Sequence, residues 1–149
     1  MQDTSAYLRP VTEKDIDLLY EWANDATVRA NAFSTEHIPY ADHARWFASR
    51  LQDEDTRIYI YMYGEIPVGQ IRIHIEGEEA TIDYSIDERY RGQGHGKQML
   101  KQLEQIVQEQ LPLIKSFFAQ VKCGNKASKT VFVAAGYEEE YVVYRKKLK

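Results

Sequence analysis

The chain has 149 residues, 44% of them hydrophobic, which is enough for one full core over residues 1–149 and asks for no second domain. Nineteen Lys and Arg stand against 23 Asp and Glu, a formal charge of −4 with no basic block, so a nucleic-acid-binding face is excluded. A single cysteine, Cys123, rules out an internal disulfide and falls short of a structural zinc site. The apolar runs are too short for a membrane span or a signal peptide, and a reducing cytoplasm is the expected setting.

Ala6 to Pro10 reads as a first strand, and Thr12 as the N-cap of a helix through Asp15, Leu18, Leu19 and Trp22 that Asn24-Asp25 closes. A polar loop, Asn31 to Tyr40, leads to a second helix from Ala41, with Ala44, Phe47, Ala48 and Leu51 on its apolar side and Asp42, Arg45, Arg50 and Gln52 in water. From Arg57 the period changes. Ile58–Tyr61, Val68–Ile75 and Ala80–Ile86 are three strands joined by turns at Gly64-Glu65 and Gly77-Glu78, which predicts an antiparallel meander. Met99, Leu100, Leu103, Ile106 and Val107 then mark an amphipathic helix stopped by Pro112. A strand over Ser116–Val121, a short helix over Ala127–Ala135 ended by Gly136, and a strand over Tyr141–Leu148 complete the chain. The order predicts one α+β domain.

Gly92, Gly94 and Gly96 stand between the strand ending at Ile86 and the helix starting near His95. Such a turn presents backbone N–H groups to an anion with the positive end of a helix dipole behind them, and pyrophosphate suits it. Two familiar phosphate loops fail here. A Walker A loop needs glycine where Arg91 stands and Ser or Thr where Gln98 stands, and a dinucleotide fingerprint needs G-x-G-x-x-G in a parallel unit, not G-x-G-x-G after a meander.

Arg91-x-x-Gly94-x-Gly96 resembles the R/Q-x-x-G-x-G/A motif of the GNAT acetyltransferase superfamily. Asn125, Ser128, Phe132 and Gly136-Tyr137 are similar to that family's second motif, N-x-x-S/A-x-x-x-Y/F-x-x-x-G-F/Y. The resemblance spans nearly the whole chain. It implies a mixed, mainly antiparallel twisted sheet flanked by helices, with acetyl-coenzyme A as cosubstrate in a cleft where the central strands splay. It also implies that Arg91, Gly92, Gln93, Gly94, His95 and Gly96 hold the pyrophosphate, with added charge from Lys97, that the strand ending at Ile86 pairs with the pantetheine arm, that Asn125 contacts that arm or positions the thioester, and that Ser128 lies near the nucleotide end. By itself, Asn125-Lys126-Ala127-Ser128 also reads as a plain helix N-cap.

The same resemblance implies direct attack of an amine on the thioester, with no covalent enzyme intermediate and no metal. One position departs from the pattern: the family's frequent acid tyrosine falls on Phe132, which has no proton to give. A coenzyme A thiol, with a pKa of about 8.5 like a free cysteine, leaves as thiolate near neutral pH with modest help. Cys123 reads as a small apolar residue and not a nucleophile. For the base, His43 is the first candidate, ahead of His74 and Asp83, and Tyr84 is a further polar group near the thioester.

Acceptor specificity is expected in the first half. Trp22, Asn24-Asp25, Arg29, Ser34, Ile38, His43, Trp46-Phe47 and Gly69–Arg72 resemble the branch that acetylates amino groups on nucleotide-linked sugars, with Arg29, Arg45 and Arg72 as cations for a diphosphate. On this reading Arg29, Ser34, His43, Trp46 and Arg72 bind substrate. The alternatives are a protein N-terminus as in the ribosomal-protein acetyltransferases, a polyamine or aminoglycoside, and an acyl-coenzyme A sensor without turnover. The chain is expected to act as a monomer or homodimer.

Overall fold

A computed structural model describes residues 6–148. Its sheet runs in the order β1-β2-β3-β4-β5, with β1 at Ala6–Pro10, β2 at Thr56–Tyr63, β3 at Ile66–Glu76, β4 at Glu79–Ile86 and β5 at Ser116–Phe118. The first four strands are antiparallel neighbours and β5 joins parallel to β4. The predicted meander is therefore present, and the sheet is mixed and mainly antiparallel.

Alternation along β2 sets the layers, because successive side chains leave opposite faces of the sheet. Ile58, Ile60 and Met62 pack with Leu19 and Trp22 of α1 (Ile16–Ala23) and Phe47 of α3 (Tyr40–Gln52). Tyr59 and Tyr61 face the other way, into a core with Ile71, Ile73, Met99, Leu100, Leu103 and Val107. The last four lie on α4 (His95–Gln110), whose apolar spacing was legible and which stops before Pro112. Helix α5 (Lys126–Ala134) adds Phe132 to the same core.

Five local expectations change. Thr12 and Asp15 form a reciprocal cap, yet the first turn, Glu13–Asp15, is 3₁₀ and the α-helix proper starts at Ile16. Asn24-Asp25 does not lead straight into a loop: the Asp25 carboxylate accepts the Val28 N–H at 3.1 Å and opens another helix, α2 (Ala26–Asn31). With no buried residue, α2 carried no apolar period to read. In α3 the buried stripe is His43 and Phe47, while Ala48 and Leu51 are exposed. The strand expected over Ser116–Val121 covers Ser116–Phe118 alone, and the one expected over Tyr141–Leu148 does not form. Alternation marks the face a strand would bury, but a strand needs a neighbouring edge, and Tyr141–Leu148 pairs with none among the described residues.

The unequal lengths of β4 and β5 create the site. Their pairing covers only Glu79–Thr81 against Ser116–Phe118. From Ile82 to Ile86 that edge of β4 has no partner strand among the described residues, and the sheet opens.

Candidate active site

The opening is a cleft of about 940 Å³ that reaches both sides of the sheet. Asp83 and Tyr84 are consecutive, so their side chains leave opposite faces. Both line the cleft, as do Ser85 and Ile86, because the breach passes between the layers. One end is walled by the turn after β4 and by α5, the other by α1, α2 and α3.

At the first end, Arg91, Gly92, Gly94, His95, Gly96 and Lys97 all line the cleft. Gly94 caps α4 at φ +85° with no side-chain bond, so the first-turn amides of the 16-residue helix lack an intrahelical acceptor. That conformation suits glycine, and the bare turn lets a phosphate approach the backbone. Gly96 is a packing glycine, since a Cβ there would meet Val131 Cγ1 at 3.2 Å and Tyr84 Cε2 at 3.5 Å. Its neighbour His95 sets its ring edge-on against Tyr61 and Tyr63. Gln93 is exposed on the turn and does not line the cleft.

The Arg91 side chain turns away from the amide cradle. Its Nε donates to the Ile86 carbonyl at 2.9 Å and one guanidinium nitrogen reaches the Asp25 carboxylate at 2.8 Å. This brace ties the end of β4 to the cap of α2. Burial pushes the Asp25 carboxyl up, but Arg91 and the Val28 amide outweigh it and hold it below the ordinary value. A second brace lies beside it: Asp87 accepts two bonds from the Arg89 guanidinium, one from the Arg89 backbone N–H and one from the Trp22 indole N–H at 2.9 Å. Arg89 holds the Asp87 carboxyl well below the carboxylate range against the effect of burial, with Trp22 assisting.

Asn125 caps α5, its side-chain oxygen accepting the Ser128 N–H at 3.2 Å, and both residues line the cleft. The cap reading is therefore realised, and it leaves the side chain at the cleft wall. Ser128 Oγ lies 3.2 Å from the Tyr84 hydroxyl. Phe132 packs edge-on to Tyr84, ring centres 5.6 Å apart, so a phenol stands beside the position where the family motif more often has tyrosine. Burial raises the Tyr84 pKa although the Ser128 bond opposes it, and the phenol keeps its proton at neutral pH.

Across the breach, Gln70, Arg72, Asp83 and Ser85 share one face, as cross-strand pairs Gln70–Ser85 and Arg72–Asp83. Arg72 approaches Asp83 at 3.6 Å and stacks over Trp46 at 5.1 Å. Gln70 donates to Asp83 and Ser85 at 3.4 and 3.2 Å. Asp83 is half exposed into this space. His43 lines the same cleft although it is largely buried, stacked on Phe47, with Nε2 donating to the Ile16 carbonyl at 2.9 Å. With that nitrogen engaged, His43 joins α3 to α1. His74 lies outside the cleft, near Thr56 and Asp53.

Arg29 lines the end walled by α1, α2 and α3, but it donates to the carbonyls of Ala23, Ser34 and Glu36. Ser34 therefore enters through its backbone and does not line the cleft. Arg45 is exposed, paired with Asp42, and outside. Sequence reasoning did not single out Ser85, Asp87 or the rim residue Phe33. Asp87 had a readable signal, a cap position before Glu88-Arg89, whereas Ser85 is visible only once β3 and β4 are in register.

The family model described as an acetyltransferase (GNAT) domain matches residues 6–138. The N-acetyltransferase YfmK of Bacillus subtilis is 26% identical over 95 residues, 64% of this chain and 63% of its own length, so the match spans under two thirds of that relative. Among solved structures, the aminoglycoside acetyltransferase AAC(6')-Ib with ribostamycin and coenzyme A is similar at TM-score 0.82 and 22% identity, covering 93% of this chain and 86% of that one. Spermidine N-acetyltransferase of Vibrio cholerae with coenzyme A and spermine has TM-score 0.84 and 13% identity over 93% and 83%. A glycine turn at a helix start, a sheet parted beside it and a family model over residues 6–138 agree, and the chain belongs to the GNAT acetyltransferase family.

Proposed function

We propose that this protein transfers an acetyl group from acetyl-coenzyme A to a primary amine. One observation carries the reading: a single cleft holds the start of α4, which no side chain caps, the open edge of β4 and the Asp83 carboxylate. The first-turn amides of α4 and Lys97 suit the coenzyme pyrophosphate. The outer edge of β4 over Ile82–Ile86, beyond the pairing with β5, suits the pantetheine amides, with Asn125 lining the same cleft. Coenzyme A itself would supply the thioester and the leaving thiol.

The amine reaches the cleft protonated and must lose a proton before or during attack. Asp83 is the group for that step, directly or through water, because Gln70 and Arg72 fix its position while it stays half exposed. His43 supports that wall from below. As the C–S bond breaks, the thiolate takes its proton from Tyr84, whose hydroxyl is held by Ser128 and stands beside Phe132. Tyr84 regains a proton from the adduct's nitrogen, the second that the amine must lose to become the amide. The backbone of β4 is the nearest source of N–H groups for the oxyanion.

For the acceptor we take an amino group on a nucleotide-linked sugar. The support is an aromatic and cationic rim in which Phe33 stands 69% exposed, Arg72 lies over Trp46, and Arg29 lines the wall. A second reading, a cationic small amine, has its own observation: Arg29 and Arg72 are already engaged, while Asp42 and Asp83 line the same space. Comparing kcat/KM for an amino-sugar nucleotide, a polyamine, an aminoglycoside and a peptide N-terminus separates them. The first is expected to lead by at least tenfold, and preference for a polyamine would replace it with the second.

A further inference from the structure

Helix α2 has six residues, Ala26–Asn31, and buries none of them, yet Thr27, Val28 and Asn31 line the cleft. A helix this short does not stand by itself, so what it is tied to sets where that wall lies. Two of its ties come from the other half of the cleft. At its start, the Asp25 carboxylate that caps it takes one guanidinium nitrogen of Arg91 at 2.8 Å. Near its end, where helix carbonyls lack intrahelical partners and favour a cation, the Ala30 carbonyl accepts from Lys122 Nζ at 3.3 Å. These contacts span 66 and 92 positions of the chain. Their roots are alike. Arg91 opens the glycine turn before α4, and the Lys122 carbonyl accepts the Asn125 N–H at 2.9 Å in the turn that sets Asn125 at the cleft. Arg29 also anchors α2, but to the end of α1 and the loop after α2, and so stays on α2's own side.

We propose that Lys122 and the Arg91–Asp25 pair are positioning residues for the acceptor, holding α2 as its wall from the two places where the coenzyme seats. The inference rests on the reading of this cleft as a coenzyme and acceptor site. Pyrophosphate on the glycine turn and pantetheine beside Asn125 each restrain one root. One side chain carries each restraint to α2, at opposite ends of the helix. Coenzyme therefore orders the acceptor wall before an amine arrives, and the amine then meets a wall that no longer has to be ordered. Both side chains are engaged with α2 and not with the reacting groups Asp83 and Tyr84, so losing a tie weakens the hold on the amine and leaves the chemistry in place.

Hydrogen exchange of residues 26–31 in the whole protein, with and without saturating coenzyme A, tests this beside calorimetric titration of coenzyme A. In wild type the coenzyme should slow exchange there by about fivefold or more. Lys122→Met and Asp25→Asn should each cut that slowing to about half or less, with the coenzyme dissociation constant within about twofold of wild type. Asparagine still caps the helix, so Asp25→Asn removes the charge pair and not the cap. Lys122→Arg, which keeps the cation, should restore the slowing. With the amine preferred in the acceptor comparison, Lys122→Met and Asp25→Asn should raise its KM about fivefold and leave kcat within about twofold. Exchange in α2 that is indifferent to coenzyme A in wild type would overturn the inference. So would variants that speed exchange equally with and without coenzyme, as a merely structural tie would, or an acceptor KM that does not move. A wild type that takes no coenzyme A in calorimetry would remove the coenzyme reading itself, and this inference with it.

Discussion

The two ends of the cleft are built by different means. At the end proposed for the coenzyme the groups on offer are backbone amides, exposed by glycines and aimed by the start of α4. At the acceptor end they are side chains that hold one another, with Arg72 on Trp46 and Asp83, Gln70 on Asp83 and Ser85, and Arg29 on three carbonyls. Backbone recognition requires a few fixed residue types in a row and so leaves a motif. Side-chain recognition is spread over four elements and leaves single residues.

If that division is right, mutations should separate rate from coenzyme binding. The largest effect is expected from Asp83→Asn, which should lower kcat by about 10²–10⁴-fold with the coenzyme dissociation constant within about twofold of wild type. Steady-state thiol release and calorimetric titration with coenzyme A measure the two, and a large loss of coenzyme affinity would erase the division. Tyr84→Phe should show a smaller loss in kcat, about tenfold, since the thiol is already a fair leaving group.

Gly94→Ala should do the reverse. A Cβ at φ +85° costs about 1–2 kcal/mol, so the turn remodels and coenzyme affinity falls by about tenfold while kcat at saturation stays near wild type. His43→Ala sharpens the acceptor side: losing the Ile16 bond and the stacking on Phe47 should cost about 2–3 kcal/mol in urea unfolding. The pH profile of kcat/KM should keep its shape, and loss of an ionisation from that profile would return His43 to the base role.

The smallest expected effect concerns the brace between the two ends. Asp87 has a lowered pKa in the folded state, so its contribution is full above the ordinary carboxylate value near 3.8 and fades as pH falls toward the lowered one. Asp87→Asn should therefore cost about 1–2 kcal/mol at pH 7 and progressively less below about pH 4, measured by urea unfolding at both. A penalty independent of pH would mean that the bonds, and not the charge, hold Trp22 in place.

Legibility in the sequence follows the same division. The meander, α4 and the glycine turn were readable because period and turn residues act locally, and the sheet order followed. Helix α2 was hidden because it buries nothing, and the strand at Tyr141–Leu148 was expected from an alternation that finds no partner among the described residues. At the site, Arg91 was expected to offer its backbone amide to the pyrophosphate and it does line the cleft, but that its guanidinium spans Ile86 and Asp25 is a contact across 66 positions that no local pattern reports. His43 had the right chemistry for a base, and only the packing of α3 on α1 reveals where its Nε2 is spent.

The most direct measurement is free thiol release from acetyl-coenzyme A by the wild-type protein, with and without an amino-sugar nucleotide, alongside mass analysis of the amine. The account predicts amine-dependent release matched mole for mole by N-acetylated product. Tight coenzyme binding with no amine-dependent release from any acceptor offered would contradict it and leave a protein that holds acyl-coenzyme A without turning it over.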